Sequence, residues 1–423
     1  MDNDLKNREP IHCDQGSVDP KNHGRRTVNF RRLERTLAVV AIGIVVVAWI
    51  MGTFRSEADL FPILKQALPE ADRFEAVRLR TYSAWNNQTA ESLMGYVTTG
   101  KADGYGGEME MAVAVSLDGV ILGLAIVEQK ETAAFLQRVL RSGLLDSLRG
   151  KSYSDPITLG QDVDGVTGAT YSCQAITDST RKATRKVASR NLALSLPPEP
   201  DTKVRFGFPE VVLIALFGFG IVGRWRRFKY KKTARWVSML VGLVVLGFVV
   251  NMPLTIVWVN KFLLGFWPAW QNHLYWFILF GGILFITIIG NKNPYCEWFC
   301  PFGATQECLG IVSGAKVRIP QRAHNGLRWI QRLLALTAIV VALIFRNPGI
   351  SSYEVFGAFF RLIGSNFQFA LLGVVLVASL FIRRPWCSYL CPLRPVTDLI
   401  RMIRNWIREL WLKDHRKRRE INV

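Results

Sequence analysis

The chain has 423 residues, half of them hydrophobic, and a formal net charge of +20. Those properties conflict unless apolar and basic residues are segregated, and here long apolar runs alternate with Lys/Arg clusters, the pattern of a polytopic membrane protein. The composition argues against a small soluble domain. The basic residues flank apolar runs and no DNA- or RNA-binding motif is visible, which argues against a nucleic-acid partner.

In chain order, residues 1–36 are polar and carry Arg25, Arg26, Arg31, Arg32 and Arg35. The run 37–54 is apolar and reads as the first span; the long polar stretch before it and the lack of an A-x-A site after it favour a retained anchor over a cleaved signal. Residues 55–205 are polar and mixed, a typical domain length. Within them 109–117 and 120–128 alternate around Asp118-Gly119 as a hairpin does, helical stretches are expected near 133–148 and 172–193, and a Pro-rich linker at 196–200 closes an α+β domain. Five further apolar segments lie at 206–223, 236–250, 274–290, 333–345 and 367–382. The expectation is a multi-pass α-helical membrane protein of about six spans, two of them short enough to need tilt or local thinning of the bilayer. The end, 397–423, is a basic amphipathic tail suited to a membrane surface.

The connections 224–235 and 291–332 and the stretch after 383 are basic, whereas 251–273 holds Lys261 alone and 346–366 only Arg346 and Arg361. The positive-inside rule then puts both termini in the cytoplasm and 55–205 outside the inner membrane. Trp258, Phe266, Trp267, Trp270 and Trp276 are expected as an interfacial belt at the outer boundary.

The first motif with chemistry is Asp164-Gly165-Val166-Thr167-Gly168-Ala169-Thr170 ahead of a helical stretch. A Gly-containing turn opening a helix suits a phosphate, and a plain N-cap is the competing reading. The segment resembles the flavinylation motif D-x-x-(S/T)-G-A-(T/S) of the FMN-binding domains in the RnfG, NqrC and NosR families. The resemblance implies FMN joined through its phosphate to Thr170 by a flavin transferase of the ApbE type, with Asp164, Thr167, Gly168, Ala169, Gly106, Glu131 and Thr132 around the flavin. Gln129 stands where those families often have His, and Ala133-Ala134-Phe135 replaces their Gly-rich stretch.

The second motif occurs twice. Pro294-Tyr295-Cys296-Glu297-Trp298-Phe299-Cys300-Pro301 returns as Pro385-Trp386-Cys387-Ser388-Tyr389-Leu390-Cys391-Pro392, each copy after an apolar span on the expected cytoplasmic side. Cysteines at i and i+4 share a helix face, and C-x-x-x-C-P is the tail of the bacterial ferredoxin ligand run. Neither copy holds four cysteines; together Cys296, Cys300, Cys387 and Cys391 make a set that suits an iron–sulfur cluster, expected here, or structural zinc. Cys13, Cys173 and Cys308 carry no pattern. With the flavin domain, the repeat resembles the NosR/NirI family and PceC proteins, and the cysteine half resembles NapH-type quinol dehydrogenases. No complete ferredoxin run follows Pro392, which places the chain nearer the shorter PceC-like arrangement.

The resemblance implies a membrane electron carrier rather than a stand-alone enzyme, linking a quinol or cytoplasmic donor, the cysteine centre and an external FMN that serves an exported redox enzyme or its maturation. A redox sensor or regulator of respiratory genes is the alternative. A hydrocarbon core about 30 Å thick separates the two centres in this scheme, and a bound quinone or a flavin domain dipping into the bilayer is needed to bridge it.

Overall fold

The structure is a computed structural model and describes residues 26–54, 60–86, 92–199, 204, 206–223, 230–291, 293–315, 317 and 319–421. Cys13, Arg25 and the basic residues 224–229, Lys292, Lys316 and Arg318 lie outside the described residues.

The sheet domain that precedes residue 206 is an antiparallel meander in the order β1 (Arg73–Arg78), β2 (Thr81–Asn86), β3 (Ser92–Asp103), β4 (Glu108–Ser116) and β5 (Ile121–Glu128). The expected hairpin forms β4 and β5, with Gly119 at φ +80° in the turn. The sequence pattern did not reveal β1 to β3. β4 is buried along both faces because helices cover each side of the sheet. Met109, Met111, Val113 and Val115 point toward the long helix Thr170–Arg190. Ala112 and Ala114 alternate to the other face, where Leu64 and Ala67 of the short helix Phe61–Ala67 meet them. Period-two alternation of large and small apolar side chains thus fixes which helix packs on which face.

Among the described residues three helices are long and apolar enough to cross a bilayer: Leu33–Thr53, Lys231–Val249 and Gln321–Ile344, of 21, 19 and 24 residues. The expected count of about six is corrected in this respect. The segments Phe208–Val222, Leu274–Gly290 and Asn366–Phe381 are shorter apolar helices; a capping box at Ser365 opens the last, the His273 turn the second and a Gly207-Pro209 start the first. Glu210 is spent on that start: its carboxylate accepts the Gly207 amide at 2.9 Å. The N-terminal helix packs along Gln321–Ile344, with Arg332 and Glu34 paired at 3.3 Å.

The connections between the helices carry as much of the core as the helices do. Met252, Leu254, Ile256, Val257 and Trp258 from one outer connection, and Val355, Phe356 and Ala358 from the other, are all buried. They share one hydrophobic cluster with Tyr295, Phe299, Phe302 and Trp386 of the cysteine repeat. The repeat therefore turns back from its helix ends into the protein.

Candidate functional site: an attachment turn, a cleft and a cysteine repeat

Thr170 is the first residue of its 21-residue helix and is exposed, and no side chain caps the helix start. A helix start of this kind, with its dipole, suits an anion. Gly168 sits at φ +87°, which L-residues avoid, and delivers the chain into the helix. Behind this turn Glu131, 3% exposed, accepts the Gly106 amide at 3.2 Å and the Ser172 hydroxyl at 2.9 Å. Burial raises the Glu131 carboxyl above the usual carboxylate range in spite of those donors. Gly106, Glu131, Thr132, Gly168 and Ala169 are thereby gathered around the helix start. Asp164 and Thr167 are exposed on the approach to it.

The turn faces the outer connections across a cleft enclosing about 700 Å³ of empty space, open solvent included. Ala169, Tyr171 and Glu131 wall one side; Thr255, Glu354 and Arg361 wall the other. Arg361 ties the sides together, donating to the Gly168 carbonyl and, at 2.8 Å, to the Asn251 carbonyl. Tyr105 hydroxyl lies 3.3 Å from Thr255 Oγ1 and accepts Trp258 Nε1 at 3.0 Å. Lys261 donates to the Gly104 and Tyr105 carbonyls at 2.8 and 3.2 Å. Gly349 comes so close that a side-chain carbon there would stand 2.7 Å from the Glu131 carbonyl carbon.

The two departures from the flavin-domain pattern lie beside these contacts. The Gln129 backbone carbonyl accepts Asn347 Nδ2 at 3.3 Å, the Gln129 side chain accepts the Glu131 amide at 2.9 Å, and Phe135 packs under the Arg361 guanidinium, 5.6 Å from ring centre to Cζ. The Phe135 side chain thus meets the other half of the chain, whereas that of Gln129 serves its own domain. The expected aromatic belt is corrected on the same evidence. Trp267 and Trp270 are exposed, but Trp258 and Trp276 are 1% and 6% exposed: Trp258 lies under Tyr105 and Trp276 packs against Trp258, Phe277 and Phe280. Sequence reasoning missed Tyr105, Glu354 and Arg361 as site residues. The available signal was that Lys261 and Arg361 are isolated cations in outer connections otherwise poor in charge.

On the far side of the same buried layer lies the cysteine repeat. In each copy the first cysteine sits in a short helical turn and the second precedes a proline that ends it, as in the extended Cys300 (ψ 118°) before Pro301. Contacts between the copies set them side by side. Gln306, fully buried, accepts the Trp386 amide at 2.9 Å and donates to Cys387 Sγ at 3.5 Å. Arg384 donates to the Cys296 carbonyl at 3.2 Å and pairs with Glu307, which Arg235 also grips at 2.8 and 2.7 Å. Burial first, then Cys387, Glu354 and Cys300, raise the Cys391 thiol well above its usual range, so thiols of both copies feel one another. Four buried or half-buried thiols are of the type that suits an iron–sulfur cluster or zinc; among the described residues no three His, Cys, Asp or Glu side chains group so as to hold a metal ion. Cys173 is buried in the sheet domain and Cys308 is half-buried.

Residues 104–185 match the FMN-binding domain family. Residues 272–320 and 367–419, each spanning one cysteine copy, match a 4Fe-4S binding domain family. Protein NirI of Paracoccus denitrificans is 29% identical over 195 residues, 43% of this chain and 28% of NirI. Regulatory protein NosR of Pseudomonas aeruginosa is 29% identical over 137 residues, 30% of this chain and 19% of NosR. A component of the proton-translocating ferredoxin:NAD(+) oxidoreductase complex of Clostridium ljungdahlii is 27% identical over 128 residues, 28% of this chain and 67% of that component. The chain thus covers under a third of NirI and of NosR. It is similar to NosR, NirI and the ferredoxin:NAD(+) oxidoreductase component, and joins an FMN-binding domain to a 4Fe-4S binding domain on a set of apolar helices.

Proposed function

We propose that the chain is an inner-membrane electron carrier with FMN esterified to Thr170 on the outer side and an iron–sulfur centre held by Cys296, Cys300, Cys387 and Cys391. When bound, the flavin supplies one- and two-electron chemistry and the cluster one-electron chemistry. The short apolar helices complete a six-span arrangement if the bilayer thins around them, with both termini cytoplasmic. The transferase modifying Thr170 and an exported redox enzyme as client belong to this reading.

The observation that carries it is the thinness of the layer between cleft and cysteines. Thr255 meets Tyr105 of the flavin domain, while the adjacent Leu254 amide donates 3.0 Å to the hydroxyl of Tyr295, the neighbour of Cys296. Tyr353, beside cleft residue Glu354, donates 2.9 Å to the carbonyl of Leu390, the neighbour of Cys391. The buried connections therefore supply a short route where a simple six-helix picture leaves about 30 Å of hydrocarbon.

The relatives favour a second reading more directly: NosR is by name a regulatory protein, and a membrane redox regulator would use the same two groups to report the quinone pool. The distinguishing experiment is flavin reduction by quinol in vesicles followed to steady state with an external acceptor. Sustained turnover supports the carrier. Stoichiometric reduction without turnover supports the regulator. No reduction of either group removes both.

A further inference from the structure

We propose that the membrane half of the chain completes the flavin site: the isoalloxazine tethered at Thr170 lies in the cleft between the two halves, against Glu354 and Arg361, rather than in solvent or wholly within the outer domain. This rests on the attachment reading above and goes beyond it, because neither residue belongs to the segment that matches the FMN-binding family, which ends at residue 185.

Three observations converge on it. The first is position. Thr170 is exposed at the rim, and its neighbours Ala169 and Tyr171 form the cleft wall, so a group on the Thr170 hydroxyl starts at the mouth of the cleft. The second is Glu354. It is 3% exposed, and both carboxylate oxygens are served by one donor, the Ile256 amide at 3.0 Å. A carboxyl group served by one donor keeps hydrogen-bonding capacity unfilled in either protonation state, so a buried one facing a cleft calls for a further partner. The pyrimidine edge of an isoalloxazine provides an N–H between two carbonyls, and Gln368, the adjacent polar wall residue, is already committed to the Ser352 and Glu354 carbonyls at 3.2 and 3.1 Å. The third is Arg361, whose guanidinium is anchored on the carbonyl two residues before Thr170. A fixed cation there serves both a phosphodiester on Thr170 and the negative charge of a reduced ring. Phe356 and Ile363 give the cleft an apolar side, which matches the dimethylbenzene end of the same ring.

The test uses the full chain made with a flavin transferase and purified in detergent. Denaturing gels report covalent flavin; iodide quenching of native flavin fluorescence reports where the ring lies. Pockets cover 70–90% of a ligand's surface, so wild type should show a quenching constant about fivefold below that of free FMN. Glu354→Leu and Arg361→Gln should each raise that constant at least about twofold, back toward free FMN, with flavin in the gel unchanged. Arg361→Gln should also lower the flavin midpoint potential, and Glu354→Gln should keep most of the shielding. The wild-type measurement stands even if a variant does not fold. Wild-type flavin that is present in the gel yet quenched like free FMN overturns this inference and leaves the attachment intact. Absence of flavin from the wild-type gel overturns the attachment and this inference with it.

Discussion

The attachment turn and the cysteine repeat face each other across one buried layer and are assembled in different ways. The turn is local: Gly168, Ala169 and Thr170 are consecutive, and a positive-φ glycine and an uncapped helix start produce its geometry. The repeat is non-local: its two copies are tied by Gln306, which donates to Cys387, and by Arg384, which donates to the Cys296 carbonyl. A local site tolerates change around it and fails at one atom. A non-local site shares its failure among every member and among the residues that clasp it.

The largest expected effect lies in the turn. Thr170→Ala should abolish covalent flavin in a denaturing gel, while Thr170→Ser keeps it, since the ester needs only a hydroxyl; flavin retained in the alanine variant would place the attachment elsewhere. In the repeat, Cys→Ser at Cys296, Cys300, Cys387 or Cys391 should each deplete the same iron and sulfide and the same paramagnetic signal, because a cluster missing one thiolate is held far less well. Cys173→Ser should leave that signal untouched. Loss confined to one pair, or zinc in place of iron, would divide the repeat into independent halves.

The clasp comes next. Glu307→Gln leaves the Arg235 and Arg384 guanidiniums facing each other, nearly buried. Breaking a buried ion group in this way costs about 3 kcal/mol, to be read from thermal unfolding of the detergent-solubilised protein; a shift under a quarter of that would make the clasp a bystander. Trp258→Phe removes the donor to Tyr105 and should cost about 1 kcal/mol of docking, visible as faster amide exchange at 104–107 and not in β4.

The smallest effect is a pH dependence. Burial holds the Lys261 ammonium down at about 8 from its ordinary 10.5, with Glu131 and Asp103 partly opposing. Between those values the undocked state binds more protons than the docked one, so docking strengthens as pH rises through that window and is weakest below it. Exchange at 104–107, corrected for intrinsic rates, should show this slope, and Lys261→Met should flatten it. An unchanged slope in the variant would assign it to another group.

The legibility of the chain follows the same local and non-local division. The hairpin of β4 and β5, the long helix after Thr170 and the repeated cysteine motif all lie in contiguous residues whose period or spacing names them. β1 escaped because it is exposed along nearly its whole length, with Phe74 its one partly buried residue. The basic connections were read for topology alone, yet Arg235 and Arg384 are packed against Glu307. Charge counting cannot separate a solvated arginine from a clasping one. Glu354 and Arg361 were invisible for a related reason: they acquire meaning only from Ile256 and Gly168, 98 and 193 residues away.

That separation along the chain has a consequence for biosynthesis. The Gly104 and Tyr105 carbonyls are translated some 156 residues before Lys261, and Gly168 some 193 before Arg361. The segment that carries the Thr170 turn is therefore synthesised before the residues that cover it, and docking is a late event in the life of each molecule. On the function proposed above, the attachment of flavin has that interval in which to act.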